Sequence, residues 1–413
     1  MTSNRKILFL VITLGIAFLL RVLWILPQDH TVNIWTDWWD ELAWNLATGK
    51  GYMVTNPFFS SGVAYYSWRP PLFPIFLASV YTFFGHSYLA AKLALAIIST
   101  LSVLLVYRLA SRLFDQTHAQ LASGICAIYP SFIFFTGYLA PETLTMFCLL
   151  TFADSLTSAT QSRVYWRWFL AGVWLGACIL CRTIMILFFI FVLLWMAIQR
   201  MKWKYLTSAF AIFILGMVLT IIPWIWRNWR IHGVFLLHST DSGQALYINN
   251  NPRSFSFEPS GTAFTYDPIE IGRLTELEAT RVLSARAITF IKNYPEKFAL
   301  YIWRRFLNFW RPFPYTVSGP GRNYTFGHQI FSLLYTGPVL FLAAVVLFTD
   351  RKQWARLSLI LFLIVYYSGT YILVRAIIRY RIPLEPFLII LAVHGFISLS
   401  RWRKTKDGNV YLL

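Results

Sequence analysis

The chain has 413 residues, of which 57% are hydrophobic, 18% aromatic and only 13% charged, a composition that excludes a water-soluble domain of this size. A formal net charge of +19 invites a nucleic-acid reading, but the basic residues are scattered among short stretches between apolar runs, so membrane lipid headgroups are the expected partner and no nucleic acid is. Cys126, Cys148, Cys178 and Cys181 all lie in or beside apolar runs. The Cys178-Ile179-Leu180-Cys181 spacing lacks a second ligand pair, so packing and no metal site is the expectation.

Ile7 to Leu26, broken only by Arg21, has the length an α-helix needs to cross about 30 Å of hydrocarbon. No small-residue cleavage site follows it, which favours a retained helix over a signal peptide. Further runs at Leu89 to Leu109, Ala119 to Gly137, Thr143 to Leu156, Trp168 to Leu180, Ile184 to Ile198, Leu206 to Trp226, Phe331 to Phe348, Leu357 to Val374 and Phe387 to Leu399 bring the total to ten. The shorter ones require tilt, flanking aromatics or local thinning. Leu72 to Phe84, between Pro71 and Gly85, is too short to span and reads as an interfacial or re-entrant helix.

With a cytoplasmic N-terminus every inside loop is basic: Arg5 and Lys6, Arg108 and Arg112, Arg163 and Arg167, Arg200 with Lys202 and Lys204, Arg351 with Lys352 and Arg356, and the tail from Arg401 to Lys406. That satisfies the positive-inside rule and predicts a multi-pass protein of a bacterial inner membrane with both termini cytoplasmic. Of seventeen acidic residues only Asp115, Asp154, Asp350 and Asp407 fall inside, which marks the outer face as the functional one. The predicted organisation is a seven-helix module over 1–231 containing a first outer loop at 27–87, an extracytoplasmic segment at 232–328, and three helices with a basic tail over 329–413. Within the extracytoplasmic segment, helical spacing from Thr275 to Tyr294 and a new start at Pro295 predict two helices, enough to cap a site but thin for an independent enzyme domain.

Candidate chemistry gathers in the outer loops. Asp37-Trp38-Trp39-Asp40-Glu41 places three carboxylates near the membrane surface, and Asp40 to Thr48 reads as a short amphipathic helix ended by Gly49-Lys50-Gly51-Tyr52. In Ser67-Trp68-Arg69-Pro70-Pro71 the prolines fix the backbone and hold Arg69 at headgroup level, where a guanidinium suits a phosphate. Leu139-Ala140-Pro141-Glu142 puts a second acid at the outer start of a span, and Arg182, Arg227, Arg230, Arg375, Arg379 and Arg381 bring further cations to the same surface. Each has an ordinary alternative. Asp40 and Glu41 suit the first turn of a helix, Glu142 suits a helix dipole, and Arg69, Arg182, Arg227 and Arg375 suit headgroup or structural anchoring. Arg21, inside a span, requires a partner that the sequence does not name.

Asp37, Gly49-Lys50-Gly51-Tyr52, Arg69-Pro70-Pro71-Leu72, Glu142, Cys181-Arg182, Arg227-Asn228, Tyr247-Ile248-Asn249-Asn250-Asn251-Pro252 and Arg379-Tyr380-Arg381-Ile382-Pro383-Leu384-Glu385-Pro386 together resemble GT-C glycosyltransferases of the protein O-mannosyltransferase and aminoarabinose-transferase type, over almost the whole chain. The resemblance implies an all-α polytopic GT-C fold and an inverting transferase that takes a sugar from a polyprenyl-phosphate donor. The family's first-loop acid usually stands slightly earlier, where this chain has Trp35, so the catalytic assignment extends from Asp37 to Asp40 and Glu41. The large soluble C-terminal domain of some relatives is missing, which leaves the acceptor open among lipid, glycan and protein.

Independently of the family, attack by an acceptor hydroxyl requires a carboxylate base, with Asp37 the first candidate. The departing phosphate requires cations, with Arg69 first and Arg379 and Arg381 next. Glu142 is expected to orient the acceptor, hold Arg69, or share a divalent cation, magnesium or manganese, with Asp37; the arginines make a metal unnecessary without excluding it. The competing readings are a transporter or flippase of lipid-linked sugars, which calls for repeat symmetry and broken helices that are not evident, and a glycan ligase or polymerase using similar donors.

Overall fold

A computed structural model of the chain describes residues 3–31, 38–55, 63–252, 254, 271, 273–314, 325–349 and 354–408, with the side chains of residues 3, 349 and 401–408 excepted. Asp37, the first candidate base, lies outside the described residues, as do Asp350, Arg351 and Lys352.

The first apolar run forms α1 (Ser3–Ile25). The first loop then carries α2 (Trp39–Ala47), a two-stranded antiparallel ribbon of β1 (Val54–Thr55) and β2 (Ala64–Tyr65) with Val54 opposite Tyr65, and α3 (Leu72–Phe84). α4 (Tyr88–Leu113) starts where the Ser87 hydroxyl accepts the Ala90 N–H, and α5 (Gln116–Ile128) starts under the Asp115 carboxylate, both ordinary N-caps. α6 (Pro130–Phe134) continues into a 3-10 turn at Phe135–Gly137. α7 (Glu142–Ser162), α8 (Tyr165–Cys181), a 3-10 turn at Thr183–Leu187, α9 (Phe188–Ile198) and α10 (Trp203–His232) complete the first module, and Gly233 ends α10 in the left-handed region at φ 68°, a conformation that costs glycine little.

Next come α11 (Ser242–Ile248), α12 (Glu276–Asn293) and α13 (Pro295–Trp310). α12 opens with a full capping box in which Thr275 and Glu278 exchange hydrogen bonds, and Pro295 occupies the first turn of α13, where its missing N–H costs nothing. The chain closes with α14 (Phe326–Thr349), α15 (Trp354–Val374), a 3-10 segment at Ile378–Leu384 and α16 (Glu385–Gly408).

Each of the ten apolar runs falls on helix. Among the described residues six helices are long and apolar enough to cross a membrane, or seven if α5 and α6 with its 3-10 turn, bent by 50°, count as one span. The other runs lie on α7, α8 and the turn leading into α9. α8 and α9 are short, and α7 is long but rich in Thr, Ser and charge, which it buries against α4, α8 and the 378–384 segment. A count of ten spans therefore does not follow from length and apolarity alone. Leu72–Phe84 is a separate short helix packed on α2.

α8 packs closely on α10. A Cβ on Gly172 would lie 1.9 Å from the Phe213 carbonyl oxygen, and one on Gly216 would lie 2.2 Å from that of Phe169, so small residues let the two backbones touch as they do in membrane helix pairs. Arg21 finds its partners here. Its Nε donates to Ser99 Oγ at 2.8 Å, and its Nη1 donates to the carbonyls of Ala17 at 2.7 Å and Ala127 at 3.0 Å, binding α1 to α4 and α5. The four cysteines are buried and free.

Candidate active site

Glu142 stands at the first turn of α7, fully buried. Arg182, where α8 ends, donates Nη2 to its Oε1 at 2.7 Å, and Arg379, 237 residues away in the 3-10 segment, donates Nε to the same oxygen at 2.5 Å. Its second oxygen, Oε2, is buried and accepts nothing. Tyr380 lies beside both guanidiniums, 5.2 Å from that of Arg182 and 5.9 Å from that of Arg379, and stacks on Tyr371. The two guanidiniums offset the cost of burying this carboxylate group, and an acceptor oxygen left over in such a place is ready for a further donor.

Arg69 is held in a second cluster. Its guanidinium lies over the rings of Trp38, Trp39 and Trp68 at 5.9, 5.3 and 5.7 Å, and its Nη1 donates to Asp241 Oδ2 at 2.5 Å. Immediately after Asp37, Trp38 adopts φ 59°, a region that costs a bulky residue about 1–3 kcal/mol and that clusters at functional sites. Tyr52 donates its hydroxyl to the Arg69 carbonyl at 2.8 Å, and burial pushes its phenol pKa up, so it remains a donor. Leu180, two residues before Arg182, packs on the group formed by Leu42, Tyr52, Val54, Tyr65, Trp68 and Trp224, which joins the first loop to the α8 end of the Glu142 cluster.

Beneath Arg69 lies a polar core. Glu276, at the start of α12, accepts the backbone N–H groups of Tyr66 and Ser67 at 3.0 and 3.1 Å and the Thr240 hydroxyl at 2.8 Å, and His232 Nε2 lies 3.1 Å from its Oε1. Arg227 donates Nη2 to the Tyr52 carbonyl at 2.7 Å and Nη1 to Asn228 Oδ1 at 2.9 Å, and so fastens the first loop to α10. Arg381 is equally committed: its Nη1 donates to the carbonyls of Phe309 and Arg311 at 2.9 and 2.7 Å, and its Nε to Glu385 at 3.2 Å.

The other first-loop acids are engaged too. Asp40 accepts the hydroxyls of Tyr81 at 2.5 Å and Tyr88 at 3.0 Å and faces His86 Nε2 at 3.0 Å, tying α2 to α3 and α4. Glu41 accepts the Thr55 N–H at 3.0 Å, bracing the ribbon. Of the roles expected of Glu142, holding Arg69 is not what the structure contains; it holds Arg182 and Arg379. Three functional candidates escape sequence reasoning: Asp241, Glu276 and Arg305. Arg305 donates to the carbonyls that end α15, that of Leu373 at 2.5 Å, and to Asn250 Oδ1 at 2.6 Å, and burial lowers its pKa to about 10. The only sequence signals near them are the turn-rich opening of the segment, the Asn249-Asn250 pair and the α12 start. Among the described residues no three His, Cys, Asp or Glu side chains form a metal-holding group.

Residues 68–226, less than half of the chain, match the family described as dolichyl-phosphate-mannose-protein mannosyltransferase. A comparison with curated protein sequences gives no match. Among solved structures, the Archaeoglobus fulgidus oligosaccharyltransferase tethered with an acceptor peptide superposes on 97% of this chain with a TM-score of 0.59 at 14% identity, and the archaeal oligosaccharyltransferase AglB in complex with an inhibitory peptide and a dolichol-phosphate covers 98%, again with a TM-score of 0.59 at 14% identity. ArnT from Cupriavidus metallidurans bound to undecaprenyl phosphate covers all of it with a TM-score of 0.52 at 14% identity. The fold is the GT-C fold. The chain spans 50% and 52% of the two oligosaccharyltransferase structures and 64% of ArnT. With six or more apolar helices it is an integral, multi-pass membrane protein.

Proposed function

We propose that the chain is a membrane glycosyltransferase that moves a sugar from a polyprenyl-phosphate donor to an acceptor hydroxyl with inversion, at the end of the bundle carrying the first loop. That end is taken as the outer face of a bacterial inner membrane, with the termini cytoplasmic. The observation that carries the reading is the buried Glu142, held by Arg182 and Arg379 on one oxygen with the other left open. Dolichol-phosphate and undecaprenyl phosphate, bound in two of the structures with the same fold, support the donor class.

In this reading the bond from the anomeric carbon to the donor phosphate oxygen breaks as the acceptor oxygen bonds to that carbon from the opposite face, and the hydroxyl proton passes to a carboxylate. Asp37 is the proposed base. Glu142 Oε2 accepts a hydrogen bond from a second donor group of the acceptor, not from the reacting hydroxyl, and so orients it, while the guanidiniums of Arg182 and Arg379, fixed by Oε1, and that of Arg69 face the charge that grows on the leaving phosphate. Arg227, Arg381, Asp40 and Glu41 act one step away, as the fasteners of this arrangement. A magnesium or manganese ion shared by Asp37 and Glu142 is compatible with the open Oε2 oxygen, and chelation followed by an activity measurement decides whether one is used.

The test is transfer or release of radiolabelled sugar from a panel of polyprenyl-phosphate sugars by the full chain in lipid. Activity in the wild type, lost in Asp37→Asn with donor binding retained, is the expected result. Donor binding with no turnover by the wild type on any donor and acceptor tried would overturn the reading in favour of lipid-linked sugar transport.

A further inference from the structure

The contact between Arg69 and Asp241 is built from both sides. Arg69 is caged by three tryptophans, so the guanidinium has little room to turn away. Asp241 is fixed as well: Ser239 donates its hydroxyl to Oδ1 at 2.5 Å while Arg69 takes Oδ2, and the Asp241 carbonyl accepts the Ala245 N–H at 2.8 Å. The neighbouring Thr240 donates its N–H to the Ser67 carbonyl at 2.9 Å and its hydroxyl to Glu276, and its own carbonyl accepts the Thr280 hydroxyl. Glu276, which also binds the N–H groups of Tyr66 and Ser67, thus holds the backbone on the Arg69 side and on the Asp241 side at once. Both partners keep a small exposed fraction, 17% and 18% of their side chains, so a ligand can reach the pair.

Resting on the phosphate role proposed for Arg69, we infer that Asp241 is the internal counter-ion of that arginine, displaced by the donor phosphate and restored as the product leaves. The charges make such a competitor useful. A polyprenyl-phosphate sugar is a phosphodiester with one negative charge, whereas the prenyl phosphate left after transfer is a monoester carrying about −1.5 to −2 at neutral pH. An arginine placed to stabilise that growing charge therefore holds the product more tightly than the donor. A carboxylate beside it competes for the same guanidinium and makes product departure an exchange of one anion for another. Asp241 is on this account a positioning and release residue, not a group that touches the reacting carbon.

The experiment uses the full chain in lipid nanodiscs and a prenyl monophosphate as probe, with direct binding and steady-state transfer measured for wild type, Asp241→Asn, Asp241→Ser and Arg69→Ala. Removing the competing charge is expected to tighten prenyl-phosphate binding by about tenfold, to strengthen product inhibition by a similar factor, and to lower kcat and KM together because release becomes slow. A purely structural residue does not increase affinity when mutated. Unchanged or weaker binding in the Asp241 variants, with binding still lost in Arg69→Ala, overturns the counter-ion role alone. Binding untouched by Arg69→Ala overturns the phosphate role of Arg69 instead. Failure of both Asp241 variants to fold, read by thermal unfolding, assigns Asp241 a structural role and overturns the inference.

Discussion

Two positions on the same helix, its first turn and its middle, each bury a carboxylate between two arginines. At the start of α7, Glu142 receives Arg182 and Arg379 on one oxygen and leaves the other without a partner, fully sealed. Three turns further on, Asp154 divides its oxygens evenly: Oδ1 takes Arg112 Nε at 2.7 Å and Oδ2 takes Arg108 Nη2 at 2.9 Å. Arg112 also reaches Gln161, and the Arg108 side chain is 49% exposed. The inventory of charge is the same, yet one grip is saturated and opens to solvent, while the other keeps an unused acceptor away from water. Composition alone does not separate a clamp from a site; the distribution of hydrogen bonds over individual oxygens does.

Breaking the first grip has the largest expected effect. Glu142→Gln should lower transfer by at least about 10²-fold, because it disturbs the orientation of the acceptor and the hold on both guanidiniums at once, in protein that still folds. Glu142→Ala should in addition destabilise by about 3–5 kcal/mol, because a buried ion pair loses its carboxylate. Activity near the wild-type level in Glu142→Gln would make Glu142 a clamp like Asp154. Next in size, Arg182→Ala and Arg379→Ala should each cost about 10²-fold in kcat, as removal of one preorganised donor does. A change confined to KM in both would move them from the transition state to uniform donor binding. At the second position, Asp154→Asn should lower stability by roughly 1–3 kcal/mol and leave transfer per folded molecule unchanged; a selective loss of activity with an unaltered unfolding temperature would erase the distinction between the two positions.

Much of this was readable from local pattern. The run from Leu72 to Phe84 matches α3, the acids at Asp40 and Glu41 occupy the first turn of α2, and Thr275 and Pro295 start α12 and α13 as their chemistry requires. Such features are set by residues within a few positions of each other. Glu142, Arg182 and Arg379 stood out individually, but their convergence on one oxygen depends on how α7, α8 and the 378–384 segment pack, and no periodicity encodes a contact between residues 142 and 379. Asp241 was hidden for the same reason, since its partner lies 172 residues earlier and nothing beside it in the chain marks it. Arg21 shows the converse case: its cost in a span was evident, and its solution was a hydroxyl and two carbonyls rather than the acid that charge matching suggests.

The smallest effect sharpens the saturated side of the comparison. Asp115, the N-cap of α5, lies in the turn after α4 and accepts His118 Nδ1 at 2.8 Å together with the N–H groups of Thr117 and His118 at 2.9 and 3.1 Å. The imidazole hydrogen bond first, and the backbone N–H groups after it, hold the Asp115 carboxyl below its ordinary value of 3.8. A group whose pKa is depressed by folding contributes stability above its unfolded value and loses it as the pH falls through the folded one. The unfolding temperature should therefore decline on acidification from about pH 5 downward, and Asp115→Asn should flatten that part of the curve while lowering stability at neutral pH. A neutral asparagine still caps the helix, so the difference between the two profiles isolates the charge on Asp115. Superimposable profiles would mean that the charge on Asp115 carries no weight in the stability of this region.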